Sequence, residues 1–186
     1  MEIRKITQAE WLPEVTKCIQ GGFHKILFGT TDAPVVIVHR AYQVDGELCA
    51  KLGYEVLESY NNGGTIVSNA GDVVIAHFYT PGNGWLNRFA DFFVDWLKAK
   101  GLDAVYVDND VLVDGHKVCG TCITRYGRID YNGVYIGMHT NIDHIKAICR
   151  KPMVKVPKGL SDYGITSEEV EQMFLDFCEQ DERKNE

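Results

Sequence analysis

Two stretches of the sequence decide the fold of the chain: Tyr60-Asn61-Asn62-Gly63-Gly64-Thr65-Ile66-Val67-Ser68-Asn69-Ala70-Gly71-Asp72 and Asn109-Asp110-Val111-Leu112-Val113-Asp114-Gly115-His116-Lys117-Val118-Cys119-Gly120. In the first, the adjacent glycines Gly63 and Gly64 lead into a β-branched run, and a backbone without side chains can approach a bound ligand closely. In the second, Lys117 stands between two glycines, where its ammonium can be held against a carboxylate or a phosphate. Together the two stretches indicate a site that activates an acid.

The composition restricts the classes of function. With 186 residues, of which 45% are hydrophobic, the chain is long enough for one compact domain with a buried core. Its formal charge of -7 and its pI near 5.4 disfavour nonspecific binding to nucleic acid or to anionic membranes. The polar N-terminus and the lack of a long apolar stretch predict neither an export signal nor a membrane span. We therefore expect a cytoplasmic protein that acts on a small molecule or on another protein.

The cysteines do not form the clustered pattern of a disulfide framework, because all six are spread along the chain. Cys119 and Cys122 form a Cys-x-x-Cys pair. A zinc site would need a second pair, and a redox pair usually opens a helix, whereas the surrounding sequence is typical of strand and turn. We therefore expect most cysteines to be reduced and buried, and we do not expect a structural metal.

Hydrophobic periodicity predicts a mixture of helices and strands. The clearest helix spans 85–100, where apolar residues recur at three- and four-residue spacing before Gly101. Further helices are predicted at 9–20, 44–52, 143–149 and 167–179, and strands at 34–39, 54–59, 73–79, 104–107, 111–113, 117–123 and 134–139. The rest of 1–30 is ambiguous, 150–160 is expected to be irregular, and 180–186 to be a frayed tail. The pattern indicates one α+β domain with a mixed sheet.

The two stretches also match the motifs of a known superfamily. A Gln and a Glu, here Gln43 and Glu47, precede its glycine loop, which maps onto 62–72, and its Asn-Asp and Asp-Gly-x-Lys motif maps onto 109–120. On these residues the chain resembles lipoate-protein ligases, octanoyltransferases and biotin-protein ligases, most closely the lipoate-ligase branch, over about 41–178. The resemblance implies a class II tRNA-synthetase-like, biotin-protein-ligase catalytic domain, which is an α+β fold with a mixed, mostly antiparallel sheet flanked by helices.

The resemblance further implies a ligase reaction in two steps. The carboxylate of lipoate or of a related medium-chain fatty acid attacks the α-phosphate of ATP to form acyl-AMP, and a lysine of an acceptor protein then displaces AMP. Lys117 is the implied catalytic residue, because its ammonium can neutralise the charge that develops in both steps. Asp110 is the implied Mg²⁺ ligand, since hard cations prefer oxygen ligands. The implied substrate-binding and nucleotide-binding residues are Asn61, Asn62, Gly63, Gly64, Thr65, Asn69, Asn109 and Gly120.

The expected partner is an acceptor protein, either a lipoyl domain or an H-protein-like protein. Many lipoate ligases carry an accessory domain after the catalytic one. Here residues 1–186 are expected to form a single catalytic domain without it, acting alone or with a separate accessory subunit. Lys155 and Lys158 lie in a segment that resembles the lysine-spaced loop of the family. They either guard the phosphates or belong to a solvated basic loop.

Several departures from the family pattern leave two alternatives open. Glu58 and Ser59 stand where the family usually has two arginines, Asn62 replaces the first glycine, and Ser68 replaces the loop histidine. The first alternative is an ATP-independent octanoyl or lipoyl transferase that forms a thioester on Cys149. The second is a noncatalytic protein that binds the acyl ligand without turnover.

Overall fold

Ten strands and five α-helices make up the part of the chain that the computed structural model describes, which is residues 3–22, 24–39, 44–59, 64–149 and 153–184. In order, the elements are β1 (Ile3–Ile6), α1 (Gln8–Gly21), β2 (Lys25–Thr30), β3 (Val35–His39), α2 (Gly46–Lys51), β4 (Glu55–Ser59), β5 (Ile66–Ser68), β6 (Val73–Tyr79), α3 (Trp85–Ala99), β7 (Ala104–Val107), β8 (Asp110–Val113), β9 (His116–Tyr126), β10 (Ile129–Ile136), α4 (Ile142–Cys149) and α5 (Ser167–Lys184), with a 3-10 turn at Leu160–Tyr163.

The strands form two sheets. The larger has seven strands in the order β1-β2-β6-β10-β9-β8-β7, and every neighbouring pair is antiparallel except β1 with β2. The smaller has the order β4-β3-β5, in which β3 is parallel to β4 and antiparallel to β5. The predicted α+β fold with a mixed, mostly antiparallel sheet and flanking helices is therefore confirmed.

Helices α3 and α5 cover one face of the large sheet. Alternate residues of its central strands are buried there, as the two-residue period of a strand requires. Among them are Ile26, Phe28, Val73 and Ile75, which pack with aromatic rings of both helices. Each fully buried side chain of this size stabilises the fold by about 2 to 3 kcal/mol relative to an exposed one. This core makes the large sheet a rigid base for the elements that pack on its opposite face.

The opposite face of the large sheet carries α1 and the small sheet. Leu27, Ala76 and Phe78, which alternate with the residues of the first core, pack here with Val15 and Cys18 of α1. A third cluster lies between the small sheet and the helices α2 and α4, and consists of Val36, Cys49, Tyr54, Val67 and Ile148. The space between the two sheets is therefore bounded by several elements that are each anchored by their own core.

Two tight hairpins lead the chain towards the motif that contains Lys117. Asp108 and Asn109 join β7 to β8, and Asp114 and Gly115 join β8 to β9; all four residues have positive φ angles between 49° and 77°. Positive φ at both central residues is the mark of the type I′ turn, whose twist matches that of the flanking strands. The Asp-Gly and Asp-Asn pairs of the sequence therefore determine this part of the fold locally.

Most predicted elements are confirmed within a few residues, and three predictions are wrong or incomplete. The tail predicted at 180–186 is helical as far as Lys184, because α5 continues and buries Asp181. The strand predicted at 134–139 is instead β10, which ends at Ile136, because the N–H groups of Met138 and His139 bind the carboxylate of Asp72. The strands β1, β2 and β5 were not predicted. Among the described residues, no helix is both long and apolar enough to cross a membrane.

Candidate functional site

A β-bulge in β9 places Lys117 and Gly120 on the same face of the large sheet. The register between β8 and β9 shifts here, so that Val118 is the extra residue, and both Val118 and Cys119 are buried in the core beneath α3 and α5. A bulge has this effect because two consecutive residues oppose one residue of the partner strand. Gly120 then leaves room for the lysine, since a Cβ at this position would lie 3.1 Å from both Cε and Nζ of Lys117.

The carboxylate of Asp110 holds two lysine ammoniums. Asp110 lies opposite Gly120 in the β8–β9 ladder. Its Oδ1 is 2.7 Å from Nζ of Lys117, and its Oδ2 is 3.0 Å from Nζ of Lys155. The side chain of Asp110 is 15% exposed and that of Lys117 is 36% exposed, so the ion pair is partly shielded from water. Contacts between charged groups at such distances are strong and directional, and they therefore fix the direction of the Lys117 amine.

The segment 153–158, called the lysine loop below, runs beside the start of β9. The N–H of Lys117 donates to the carbonyl of Val156 at 3.0 Å, and the N–H of Lys158 donates to the carbonyl of Lys117 at 3.0 Å. The ammonium of Lys155 also donates to the carbonyl of Val107 at 3.0 Å. The loop is thereby held against the same strand that carries Lys117.

A cavity of about 120 Å³ lies between the two sheets and is called the sheet cavity below. Most of its wall is hydrophobic, aromatic or glycine, and charged groups occur only where Asp110 and Lys117 reach it. Gly133 widens it, because a Cβ there would lie 2.9 Å from Sγ of Cys122 and 3.1 Å from Cε1 of Tyr131. The lining residues are Trp11, Ile37, Ser59, Gly64, Thr65, Ile66, Val74, Asp110, Lys117, Gly120, Thr121, Cys122, Tyr131, Gly133, Val134 and Tyr135.

A second cavity, of about 200 Å³ and called the lysine cavity below, lies on the other side of Lys117. It shares Thr65, Ile66, Lys117 and Tyr135 with the sheet cavity. Lys155 and Lys158 of the lysine loop also line it, and its described lining includes no carboxylate. Asp110 compensates part of the charge of Lys117 and Lys155, and the remaining positive charge of the three lysines favours an anionic ligand. The amine of Lys117 therefore stands where the two cavities meet, and the second differs from the first in having two further lysines in an otherwise largely apolar wall.

This arrangement agrees with a family match found from the sequence. A model of the lipoyl protein ligase A/B catalytic domain matches residues 14–176. The chain belongs to this family. A search by sequence among curated proteins finds no match.

Solved structures of lipoyl protein ligases share the fold. Protein Ta0514 of T. acidophilum, with bound lipoic acid, superposes with a TM-score of 0.76 at 16% identity over 96% of this chain and 84% of that one. Lipoate-protein ligase A bound with ATP gives 0.77 at 16% identity over 96% and 83%. A bi-partite lipoate protein ligase of Thermoplasma acidophilum, studied with its E2 lipoyl domain, gives 0.77 at 17% identity over 97% and 83%. The predicted superfamily and fold class are confirmed.

Half of the site residues that the sequence predicts for a lipoyl protein ligase lie together. Lys117, Asp110, Gly64, Thr65 and Gly120 all line the sheet cavity. Gly64, the described glycine of the loop, thus lines the same cavity as Lys117. Four further candidates, Gln43, Asn61, Asn62 and Gly63, lie outside the described residues.

Two predicted binding residues lie outside both cavities. Asn109 is exposed in the β7–β8 turn, where its carbonyl accepts from the N–H of Thr121 at 2.8 Å. Asn69 uses its side chain as a bridge: its amide donates to the carbonyl of His139 at 2.7 Å, and its oxygen accepts from the hydroxyl of Tyr54 at 2.9 Å. Their roles in ligand binding stay predictions, while the observed contacts hold loops in place.

Asp72 is a central residue that the sequence did not single out. It is fully buried, its Oδ1 accepts from the N–H groups of Met138 and His139 at 2.6 and 3.0 Å, and its Oδ2 accepts from the hydroxyl of Tyr135 at 2.6 Å. Burial raises the pKa of Asp72, while these hydrogen bonds oppose the rise. Because Tyr135 lines both cavities, Asp72 fixes a shared wall. A lone acid directly before a continuous apolar strand is the signal that could have revealed it.

The cysteines do not form a metal site in the described part of the chain. Cys119 lies in the core beneath α3 and α5, whereas Cys122 lines the sheet cavity on the opposite face, so the two thiols cannot share a ligand. Burial raises the pKa of Cys122 to about 11. No group of three or more potential ligands (His, Cys, Asp or Glu) occurs among the described residues. The expectation of reduced thiols agrees with six free cysteines.

Two of the departures from the family pattern lie on β4, and the thiol of the transferase alternative lies in the lysine cavity. Ser59 lines the sheet cavity, and Glu58 is exposed on β4, so this strand supplies no cation to the cavity. Cys149 lines the lysine cavity, but burial raises the pKa of its thiol, with a smaller contribution from Cys49. Because the thiolate is the nucleophilic form, the surroundings of Cys149 oppose rather than promote thioester formation at neutral pH.

Proposed function

We propose that the chain is a lipoate-protein ligase, which activates lipoate or a related medium-chain acid with ATP and transfers the acyl group to a lysine of an acceptor protein. One observation carries the proposal: the amine of Lys117 stands where two cavities with largely apolar walls meet, and two further lysines line the second of them. An acid with a hydrophobic tail suits the first, and a nucleotide triphosphate suits the second. Their reacting ends would then meet at the Lys117 amine.

The sheet cavity suits the acid. Its hydrophobic wall would take the tail out of water, which favours binding by about 0.8 kcal/mol for each buried methylene. The carboxylate would then lie at the end that Lys117 reaches. Gly64 and Thr65 line the same end, where a backbone without a large side chain allows close approach. The glycine loop and Lys117 would then both contact the carboxylate of the acid, which is why the two motifs occur together.

The lysine cavity suits the nucleotide. Lys117, Lys155 and Lys158 surround it with positive charge, and the ammonium of Lys158 lies 4.2 Å from the ring centroid of Tyr163. Phosphates carry several negative charges, and lysines bind them as flexible point charges.

Lys117 is the proposed catalytic residue. In the first step an oxygen of the acid carboxylate attacks the α-phosphate, pyrophosphate leaves, and acyl-AMP forms. In the second step the amine of the acceptor lysine attacks the acyl carbonyl and AMP leaves. The ammonium of Lys117 would stabilise the negative charge that develops on the phosphate in one step and on the carbonyl oxygen in the other. Asp110 would position that ammonium, since it accepts from it at 2.7 Å.

Asp110 would not bind Mg²⁺ while two lysine ammoniums contact its carboxylate. Both carboxylate oxygens lie within 3.0 Å of a lysine ammonium, and two cations at that distance repel a third. Proteins usually bind Mg²⁺ through one or two carboxylates together with substrate phosphates. The described residues thus fit a pair of positioned lysines better than a metal site built by the protein.

The proposal extends to partners and compartment. A lipoyl domain or an H-protein-like protein is the proposed acceptor, and residues 1–186 are proposed to form one catalytic domain. The bi-partite ligase of Thermoplasma acidophilum supports a separate accessory subunit as a further partner. Free cysteines throughout the chain agree with the reducing cytoplasm, which is the proposed location.

The exchange of labelled pyrophosphate into ATP tests the proposal, because it reports acid activation without an acceptor. We expect exchange that depends on lipoate or octanoate, and we expect Lys117→Ala to lower it at least about 100-fold, as loss of a single charge-stabilising group does. Lys98→Ala, an exposed lysine of α3 remote from both cavities, is the control and should retain full activity.

Other results would overturn the role of Lys117 or select one of the two alternative functions. Exchange that is unchanged by Lys117→Ala would overturn the assigned role of the lysine. Acid binding by calorimetry without any exchange would select the noncatalytic binder. An acyl thioester on Cys149, seen by mass spectrometry after incubation with an acyl donor and without ATP, would select the transferase.

A further inference from the structure

The indole of Trp11 is held at the far side of the sheet cavity by a rigid helix start. The hydroxyl and the N–H of Thr7 donate to the carboxylate of Glu10 at 3.0 and 2.9 Å, which caps α1. The side chain of Gln8 accepts from the N–H of Asp32 at 3.1 Å and ties the same turn to the β2–β3 connection. Trp11 lies in the first turn of α1, so these hydrogen bonds hold the backbone from which its ring extends.

The Trp11 ring and the Lys117 amine both line the sheet cavity, but they lie at opposite ends of its path across the central strands of the large sheet. The ring rests on Gly29 of β2, where a Cβ would lie 3.5 Å from Cε3 of the indole. Gly29 pairs with Val74, Val74 with Tyr135, and Tyr135 with Gly120, over which the lysine amine lies. Three strand spacings separate the two ends, which is roughly 14 Å. The sheet cavity therefore crosses four strands and ends at an aromatic ring.

Two smaller cavities, of about 20 Å³ each, continue beyond this ring. Trp11 and Ile37 line both of them and also the sheet cavity. The indole is the larger of these two side chains, and it belongs to helix α1 rather than to a strand. Removal of the indole would therefore join the three cavities into one longer channel.

We propose that Trp11 sets the longest acid that the protein accepts, an inference that rests on the proposed function and deepens it. Each methylene that fits in the cavity raises affinity about fourfold. The gain ends where the chain meets the indole, because a further methylene must then displace a ring that is held by α1. Unbranched medium-chain acids, and acids of similar length such as lipoate, are therefore the substrate class, and Trp11 excludes long-chain fatty acids.

The test measures the affinity of straight-chain acids of increasing length by calorimetry, and their activation by pyrophosphate exchange. In the wild-type protein we expect the affinity to rise about fourfold per methylene and then to fall sharply. In Trp11→Ala we expect the rise to continue to longer acids, so that the acid with the highest affinity is longer than in the wild-type protein. Trp96→Ala removes the same side chain from α3 and should keep the wild-type length limit, because Trp96 packs on the other face of the sheet.

The two failures are distinguishable. If neither wild type nor variants bind any acid, the proposed function fails. If wild type binds and activates acids and Trp11→Ala has the same length limit, the role of Trp11 is overturned while the proposed function stands. Trp11→Leu, which keeps part of the packing, serves if the alanine variant does not fold; it should show an intermediate limit, and an unchanged limit would equally refute the inference.

Discussion

His77 shows how burial sets the chemistry of a single residue. It lies in the middle of β6 with an exposed fraction of 1%, its ring stacks on Trp85 at a centroid distance of 4.3 Å, and Asn132 approaches its Nδ1 at 3.1 Å. Burial lowers the pKa of His77 to about 3. The imidazole is therefore neutral in the folded protein at every pH at which the enzyme would work.

The stability of the protein should decrease in acid because of His77. In the unfolded chain this histidine takes up a proton near its ordinary pKa of about 6.5, whereas the folded protein does so only near 3. The unfolded state thus binds more protons below about pH 6.5, and stability falls as the pH falls through that window. Between pH 7 and pH 5, urea unfolding should show wild type losing about 2 kcal/mol more than His77→Phe. Equal losses would contradict the assignment.

For single residues, the sequence predicts that Lys117 belongs to the site but not how its side chain is oriented. Lys117, Asp110 and Gly120 were recognised because their residue types and spacing form a motif. The bulge at Val118 that brings Lys117 and Gly120 to one face has no mark in the sequence, since an extra residue in a strand is selected by packing on both faces. Asp72 was overlooked for the same reason, because its role depends on donors more than 60 residues away.

Among the elements, the lysine loop is joined to the fold at one critical glycine. A Cβ at Gly159 would overlap the carbonyl oxygen of Met138 and would lie 3.0 Å from Cα of His139. The same junction is held by the N–H of Leu160, which donates to the carbonyl of Gly137 at 2.9 Å. The loop can therefore lie against β9 only if residue 159 has no side chain.

Gly159→Ala should destabilise the protein by about 3 kcal/mol, because backbone atoms cannot yield to the added methyl group. Gly46→Ala is the matched control: no atom lies within 4 Å of the added Cβ at the first residue of α2, and alanine should change the stability by less than about 0.5 kcal/mol. Denaturant unfolding of both variants measures the difference. Similar stabilities of the two would show that the loop is not locked at this position.

Elements with a strong local signal could be predicted, and those formed by distant pairing could not. Helix α3 and strand β6 were found because their periodicity is clear over their whole length. The three-residue strand β5 follows the glycine loop and exists only because Val35, Val36 and Ile37 of β3 pair with it. Strands β1 and β2 likewise pair in parallel across helix α1, a contact that no short sequence window contains.

In the whole molecule, a buried ion pair helps to connect the C-terminal part of α5 to α3. Nε of Arg88 donates to Oδ1 of Asp181 at 2.6 Å, and Nη2 of Arg88 donates to Oδ2 at 3.1 Å. Asp181 is buried, and hydrogen bonding to it raises the pKa of Arg88. The helix continues past the predicted end because a distant arginine compensates the buried carboxylate, which the local sequence does not reveal.

Asp181→Asn should reduce the free energy of unfolding by about 2 kcal/mol, since one partner of a charged hydrogen bond is lost from a buried position. Asp176→Asn, an exposed change in the same helix, should alter it by less than about 0.5 kcal/mol. Thermal or urea unfolding distinguishes the two. Acid activation per folded molecule should be the same in both, because neither residue lines a cavity in the described part of the chain. If both changes have equal effects, α5 is not anchored by this pair.

The central claim for the whole molecule is that Lys117 joins an acid site to a nucleotide site. A crystal structure of the protein with lipoate and a non-hydrolysable ATP analogue tests it most directly. We expect the lipoate tail in the sheet cavity, the phosphates in the lysine cavity, and Nζ of Lys117 within about 3 Å of both the carboxylate and the α-phosphate. Ligands bound elsewhere, or a Lys117 amine that contacts neither of them, would contradict it.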